Sequence, residues 1–182
     1  CRDRGARWVL RFNGGAQAGH NVVTATGRHH TFSQLGAGSF LPAVQTYLCP
    51  AFLLHPGALL VEAAALVRAG APDPLPRLAI ARAVRVITPF HQALGRLREL
   101  SRGAGAHGSC GVGIGETVRD SLAHPDGVLR VSELLDDTPA LRAKLHRIRA
   151  RLQAQYQSLS GLNPTADAVR QETLILELED VV

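Results

Sequence analysis

Three prolines decide where this chain can be helical. Pro56, Pro89 and Pro139 each open a run of apolar residues spaced by three or four. Proline lacks an N–H, so it is tolerated in the first turn of a helix and excluded from its interior. HPGALLVEAAALVRAG therefore reads as a helix with Pro56 in its first turn and Gly70 as its stop. TPFHQALGRLRELSRGAG reads as a second helix, capped by Thr88 and ended by Gly103, with Phe90, Leu94, Leu97 and Leu100 close to one face. TPALRAKLHRIRARLQAQYQSL reads as a long third helix, with Leu141, Leu145, Ile148 and Leu152 forming its apolar stripe.

The apolar segments between these helices are strand-sized. RWVLRF, NVVTA and QTYLCPAFLL, the last interrupted at Pro50, read as strands, and LAIARAVRVI holds one or two more. TGR is a turn into HHTFSQL, APDPLPR is a proline-rich connection, and RVSELLDD is a short capped turn of helix. The tail NPTADAVRQETLILELEDVV is expected to run from helix into strand. The fold class expected is α/β, a mixed sheet flanked by helices, in one domain spanning 1–182.

Composition narrows the function classes. The longest apolar candidate for a membrane span, ALLVEAAALV, is short and broken by Glu62. With hydrophobic residues at 46%, a soluble globular chain is expected. Cys1, Cys49 and Cys110 are odd in number and far apart, which suits a reduced, cytoplasmic setting better than a disulfide framework or a zinc site. The net charge of +5 comes almost wholly from arginine, Lys144 being the only lysine, while aromatics are 4%. Nucleic-acid binding calls for basic residues with interleaved aromatics, so no nucleic-acid partner is expected; small phosphorylated ligands suit the charge. The opening CRDRGARW, in a chain without methionine, reads as an excerpt of a longer sequence.

Two glycine-rich stretches, NGGAQAGH (13–20) and GSCGVGIG (108–115), lie where elements meet. Glycine after a strand lets backbone N–H groups converge on an anion, because no side chain blocks the approach. Glycines also simply make turns, and spacing alone leaves both readings open. GVGIGE lacks the last glycine of a dinucleotide fingerprint, and no G-x-x-x-x-G-K-[ST] loop is present. His20 can donate to a phosphoryl oxygen or act as acid or base, or it can be a solvent-exposed loop histidine. His29 and His30 are adjacent, so on a strand they face opposite ways and make poor co-ligands. His91, in a first helical turn, is expected at the surface. Cys110 is either a reactive thiol near a helix N-terminus or a small residue tolerated in a tight loop. No Ser-His-Asp or paired-carboxylate arrangement is legible.

The order of the motifs carries more than each motif does. VLRFNGGAQAGHNVV, then LLHPGALLVEAAALVRAG, then VITPFHQALGRLRELSRGAGAHGSCGVGIGETVRDSLAHPDGVLRVSELLD together resemble adenylosuccinate synthetase over roughly residues 7–145. The resemblance implies a P-loop-like GTP-dependent ligase fold. It also implies a reaction in which GTP phosphorylates IMP and the aspartate amine displaces the phosphate, with Mg²⁺ and a homodimer. It gives His20 a catalytic role and assigns the Gly19 carbonyl to Mg²⁺. It places Gly14 and Gly15 at the GTP cofactor, and Gln17, Ala18, Ser109, Cys110 and Gly111 at the substrate. Such roles suit phosphoryl transfer, which is catalysed mainly by positioning and charge stabilisation.

The chain departs from the family pattern at several of these positions. Gln17 stands for an asparagine, Asn21 for a threonine, Ser109 and Cys110 for two threonines, and Val112 for an arginine. The arginine that reaches across the family's dimer aligns near His124, where no arginine stands. Each lost charge-assisted phosphate contact costs about 1.5–3 kcal/mol. In the family a glycine-rich loop with the aspartate base and a lysine would precede Cys1, and aspartate and guanine recognition would follow Val182. The stretch is thus expected to hold half an active site and to be inactive alone. Alternatives are a diverged homologue acting on another phosphorylated substrate and a non-catalytic interaction remnant.

Overall fold

The computed structural model describes residues 2–17, 19–135 and 137–177. The chain divides into two compact units, Cys1–Val86 with Arg130–Ser132, and Ile87–Leu129 with Glu133–Val182.

The first unit holds the strands. β1 (Trp8–Arg11), β4 (Gln45–Leu48) and β6 (Leu78–Ile80) form a parallel sheet in the order β1-β4-β6; β2 (His20–Val23) and β3 (His29–Phe32) pair antiparallel; β5 (Leu53–Leu54) and β7 (Arg85–Val86) pair parallel. The expected break at Pro50 separates β4 from β5. Helix α1 (Pro56–Arg68) follows at once. His55 caps it by accepting the Ala58 N–H at 3.2 Å, and Gly70, at φ +79°, ends it. The α1 residues Leu59, Ala63 and Leu66 bury against Phe32, Leu48 and Phe52. Residues 130–132 return to this unit, where the Val131 N–H meets the Val84 carbonyl at 2.9 Å.

The second unit is helical: α2 (Pro89–Ser101), α3 (Ile114–Ala123), α4 (Thr138–Gln157) and α5 (Asp167–Glu177). Phe90, Leu94 and Leu97 of α2, Ile148 and Leu152 of α4, and Val169 and Leu176 of α5 are buried. Leu100, expected on the same face of α2, is 40% exposed. Asp137 caps α4 through the Ala140 N–H at 3.0 Å, so Thr138 is that helix's first residue and not its cap. The strand expected at the end of the tail lies outside the described residues; α5 is the helix before it.

α3 is the element that hydrophobic patterning misses. Its buried residues are Glu116, Thr117 and Asp120, while Leu122 is 76% exposed. A helix that buries Glu116, Thr117 and Asp120 more deeply than Ile114, Val118 and Leu122 runs against the amphipathic signal. Its start is hidden as well, because Gly113, at φ +89°, caps it without a side chain. A Cβ at Gly113 would come within 2.9 Å of Ile87, so glycine is required there on two counts.

Candidate functional site

The first glycine loop joins β1 to β2 within the first unit. Gly14 adopts φ +83°, and its carbonyl accepts the Leu53 N–H at 2.8 Å, tying the loop to β5. The Gln17 N–H closes on the Gly15 carbonyl at 2.8 Å, and the Gly19 N–H donates to the Phe32 carbonyl at the same distance. A Cβ at Gly19 would sit 2.9 Å from that carbonyl, so the close approach depends on glycine. Ala18 lies outside the described residues.

His20 is the first residue of β2, paired across the hairpin with Phe32. The two rings stack with centroids 5.6 Å apart and planes 14° from parallel, and His20 is exposed. The loop therefore delivers an imidazole that is held on one face and open to solvent on the other.

Behind this loop lies a charged arrangement that the sequence pattern does not announce. Glu62 of α1 is buried, and its carboxylate accepts three successive backbone N–H groups, from Ser33 at 3.0 Å, Gln34 at 2.8 Å and Leu35 at 3.2 Å, together with the Ser33 hydroxyl at 2.7 Å. His30 Nε2 faces it at 3.8 Å. Burial pushes the His30 pKa down, with Glu62 opposing the shift. Arg11 spans the same turn, donating to the Ser33 carbonyl at 2.6 Å with its guanidinium 5.8 Å from the Phe52 ring centroid. Burial lowers its pKa, against the attraction of Glu62. The one available signal was a lone carboxylate inside an otherwise apolar helix.

The second glycine loop joins α2 to α3 within the second unit. Ser109 and Cys110 are exposed. The Ser109 N–H donates to Glu99 Oε2 at 3.1 Å, and Arg102 pairs with the same carboxylate. That backbone hydrogen bond is the main reason the Glu99 pKa is held low; partial burial opposes it, and Arg102 and the His107 backbone add to it. The Gly111 carbonyl accepts from Arg96 Nε at 3.1 Å, and Arg96 also pairs with Glu172 of α5 at 3.0 Å. These groups line a cavity of about 280 Å³ with Arg96, Glu99, Ser109, Gly111 and Glu172 on its walls. The loop is thus already engaged by one carboxylate and one guanidinium.

His91 is not at the surface, as its position in a first helical turn suggested, but fully buried. Its Nε2 faces Asp120 Oδ2 at 3.3 Å, and its Nδ1 receives the Thr88 N–H at 3.3 Å and shares a hydrogen bond with Thr88 Oγ1 at 2.8 Å. A carboxylate only accepts and a backbone N–H only donates, so these contacts assign the proton to Nε2. Arg151 of α4 reaches the same carboxylate through two hydrogen bonds of 2.7 Å. Burial alone would push the Asp120 pKa up. The hydrogen bonds from His91 and Arg151 and the guanidinium charge outweigh it and hold the group well below the usual carboxylate range. Polar satisfaction of the buried face of α3 thus explains why His91 turns inward.

Among the described residues no three His, Cys, Asp or Glu side chains converge on a metal position. No helix is long and apolar enough to cross a membrane among those residues. His20, Gly14, Gly15, Gln17 and Gly19 come together in the first unit; Ser109, Cys110 and Gly111 come together in the second.

Comparison with known proteins places these features in a lineage. The sequence profile of adenylosuccinate synthetase matches residues 3–181. The adenylosuccinate synthetase of Neisseria meningitidis is 34% identical over 173 residues, covering 95% of this chain and 38% of that protein. The one from Mycolicibacterium vanbaalenii is 32% identical over 153 residues, covering 84% of this chain and 34% of that protein. The chain therefore spans little more than a third of the length of these relatives. Among solved structures, the fully ligated adenylosuccinate synthetase from Plasmodium falciparum matches with a TM-score of 0.74 at 18% identity, over 95% of this chain and 38% of that one. The cyanophage S-2L succinoaminodeoxyadenylate synthetase, bound to dGMP and dATP, matches with a TM-score of 0.50 at 20% identity, over 85% of this chain and 41% of that one. At these identities the structural likeness concerns the fold.

Proposed function

The chain belongs to the adenylosuccinate synthetase family, and from that premise we propose that it supplies part of the site of a GTP-dependent ligase that joins a purine nucleotide to aspartate or a close analogue. In this reading His20 is the catalytic residue, polarising or protonating the phosphoryl group in transit. Gly14 and Gly15 face the GTP, and Gln17 and Ala18 border the substrate. By the family resemblance, Ser109, Cys110 and Gly111 of the second loop are assigned to substrate binding. The assembly is a homodimer in the cytoplasm.

The observation that carries this reading is the presentation of His20. A glycine with no room for a Cβ fixes the strand entry, and Phe32 supports one face of the ring while the other stays open. An imidazole held this way is pre-oriented for proton transfer near neutral pH, and such groups typically contribute 10²–10⁴-fold.

Magnesium suits the reaction, and the described residues do not by themselves form a cage for it. Mg²⁺ prefers six oxygens, usually one or two carboxylates with phosphates and waters. The strand entry at Gly19 offers a backbone carbonyl and no carboxylate cluster. The family's remaining ligands would come from the nucleotide and from polypeptide that the matched third does not span.

The test is a hybrid enzyme in which residues 3–177 replace the matching stretch of the Neisseria meningitidis relative. Phosphate release should require GTP, IMP and aspartate together, and His20→Ala should reduce it by about 10²–10⁴. Unchanged turnover in the His20→Ala hybrid would remove the imidazole from the chemistry.

A second reading concerns the substrate. Cys110 and Val112 occupy loop positions that carry threonine and arginine in the family pattern, which weakens any grip on the IMP phosphate. The hybrid should then prefer another purine monophosphate, and dGMP is the comparison to make, since the cyanophage relative was solved with it. A hybrid that prefers IMP as strongly as the parent enzyme does rejects this reading.

A further inference from the structure

α4 carries Arg142, Lys144, Arg147, Arg149 and Arg151 over its 20 residues and not one carboxylate. Lys144, Arg147 and Arg151 follow one another at intervals of three and four, which stacks them along one edge of the helix. They line a cavity of about 290 Å³ that α4 forms with Asp126, Gly127 and Glu133. All of its walls belong to the second unit, and none is shared with the cavity beside the second glycine loop.

Like charges one turn apart repel, so three successive cations are unfavourable on a bare helix. Two of the three are answered. Lys144 pairs with Glu133 and also donates to the Asp126 carbonyl at 3.3 Å. Arg151 turns Nε and Nη2 to Asp120, and Nη2 reaches the Gly127 carbonyl at 3.3 Å as well. Arg147, between them, is exposed and has no hydrogen bond or ion pair among the described residues. The two anchored cations still have donors to give. The Lys144 ammonium keeps a third N–H, and Arg151 Nη1 makes no hydrogen bond among the described residues. A Cβ at Gly127 would lie 3.3 Å from that Nη1, so glycine keeps the wall beside it clear. Of the carboxylates on the walls, Glu133 is engaged by Lys144 and Asp126 is exposed.

We propose that this cavity binds a phosphoryl group, carried by inorganic phosphate or by a small phosphomonoester, with Arg147 as its main ligand. Guanidinium matches phosphate oxygens two at a time, and lysine adds a point charge. A phosphoryl group brings three acceptor oxygens and about two negative charges, so it can answer all three cations at once. A carboxylate has two oxygens and one charge. The volume lies at the small end for ligand pockets, which favours a short phosphomonoester over a nucleotide. The site is independent of the ligase reaction proposed above.

The test titrates inorganic phosphate into the 182-residue chain by calorimetry, with sodium chloride holding the ionic strength constant. The expected result is saturable binding at one site, which Arg147→Gln weakens by about tenfold or more. Arg147 has no partner to lose, so the phosphate-free Tm of this variant should match that of the natural chain, which separates lost binding from lost folding. Glycerol 3-phosphate, titrated alongside, distinguishes the two sources. Tighter binding of the ester makes a phosphomonoester the ligand, and tighter binding of the ion makes it free phosphate. Absence of saturable binding by both probes overturns the proposal. So does binding that Arg147→Gln leaves unchanged, and so does an equal response to chloride. Should the chain not fold alone, the hybrid with the Neisseria meningitidis relative takes its place, its nucleotide site filled with IMP, and the same Arg147→Gln comparison decides.

Discussion

Asp120 and His20 show how differently one chain can use a polar side chain. His20 stands on a single aromatic neighbour and is exposed, so its replacement should alter chemistry while leaving stability nearly unchanged. Asp120 is buried and holds Arg151 and His91. Asp120→Asn removes the charge that His91, Arg151 and His124 face. Breaking a buried pair from one side costs about 3–5 kcal/mol, to be read from urea unfolding at pH 7. The pH dependence follows from the direction of the shift. Asp120 has a folded pKa below its unfolded value, so its stabilising contribution is complete above the unfolded pKa of about 4. That contribution drains away as pH falls further toward the folded pKa. The natural chain should therefore lose stability steeply below about pH 4, and the Asp120→Asn variant should show a shallower acid slope. Equal slopes would mean that the carboxylate titrates alike in both states.

At the scale of elements, helix starts were the most legible feature, because caps and first-turn prolines act locally. Thr88 and Pro89 mark the start of α2 without reference to anything distant, and the structure adds that His91 completes a reciprocal capping box with Thr88. Thr88→Ala should cost about 0.5–2 kcal/mol of stability. The upper end is expected because the change also strips His91 of its hydroxyl partner; Thr88→Ser should restore most of the loss, and denaturant midpoints compare the two. α3 was illegible for the opposite reason. Nothing within Ile114–Ala123 reveals that Asp120 will meet an arginine 31 positions later. Without that partner, a helix burying Glu116 and Asp120 would be rejected on the cost of desolvating charge. Glu62 follows the same rule, since its three amide donors lie 27–29 residues earlier in the chain.

For the whole molecule, the buried carboxylates report separately on the two units. Glu62→Gln exchanges a carboxylate that accepts from all sides for an amide with one acceptor oxygen, leaving at least one buried N–H short of a partner at about 1–3 kcal/mol. Hydrogen exchange should then speed up at Ser33–Leu35 and along α1, while the amides of α2 and α4 keep their protection. Asp120→Asn should do the reverse. Loss of protection across both units from either change would show that they open as one.

From sequence alone came the α/β class, the first-turn prolines of α1 and α2, the Thr88 cap, the strands either side of Pro50, the two glycine loops, and the motif order that points to the family. Apart from the motif order, which spans residues 7–145, these depend on a residue's own conformational preferences or on neighbours within a few positions. Tertiary structure alone decided that His91 turns inward, that α3 exists with its polar side buried, that Glu62 is seated among backbone amides, and that the second glycine loop is already engaged by Glu99 and Arg96. A buried charge is favourable only once its partners arrive, and here they come from distant parts of the chain, out of reach of any local pattern.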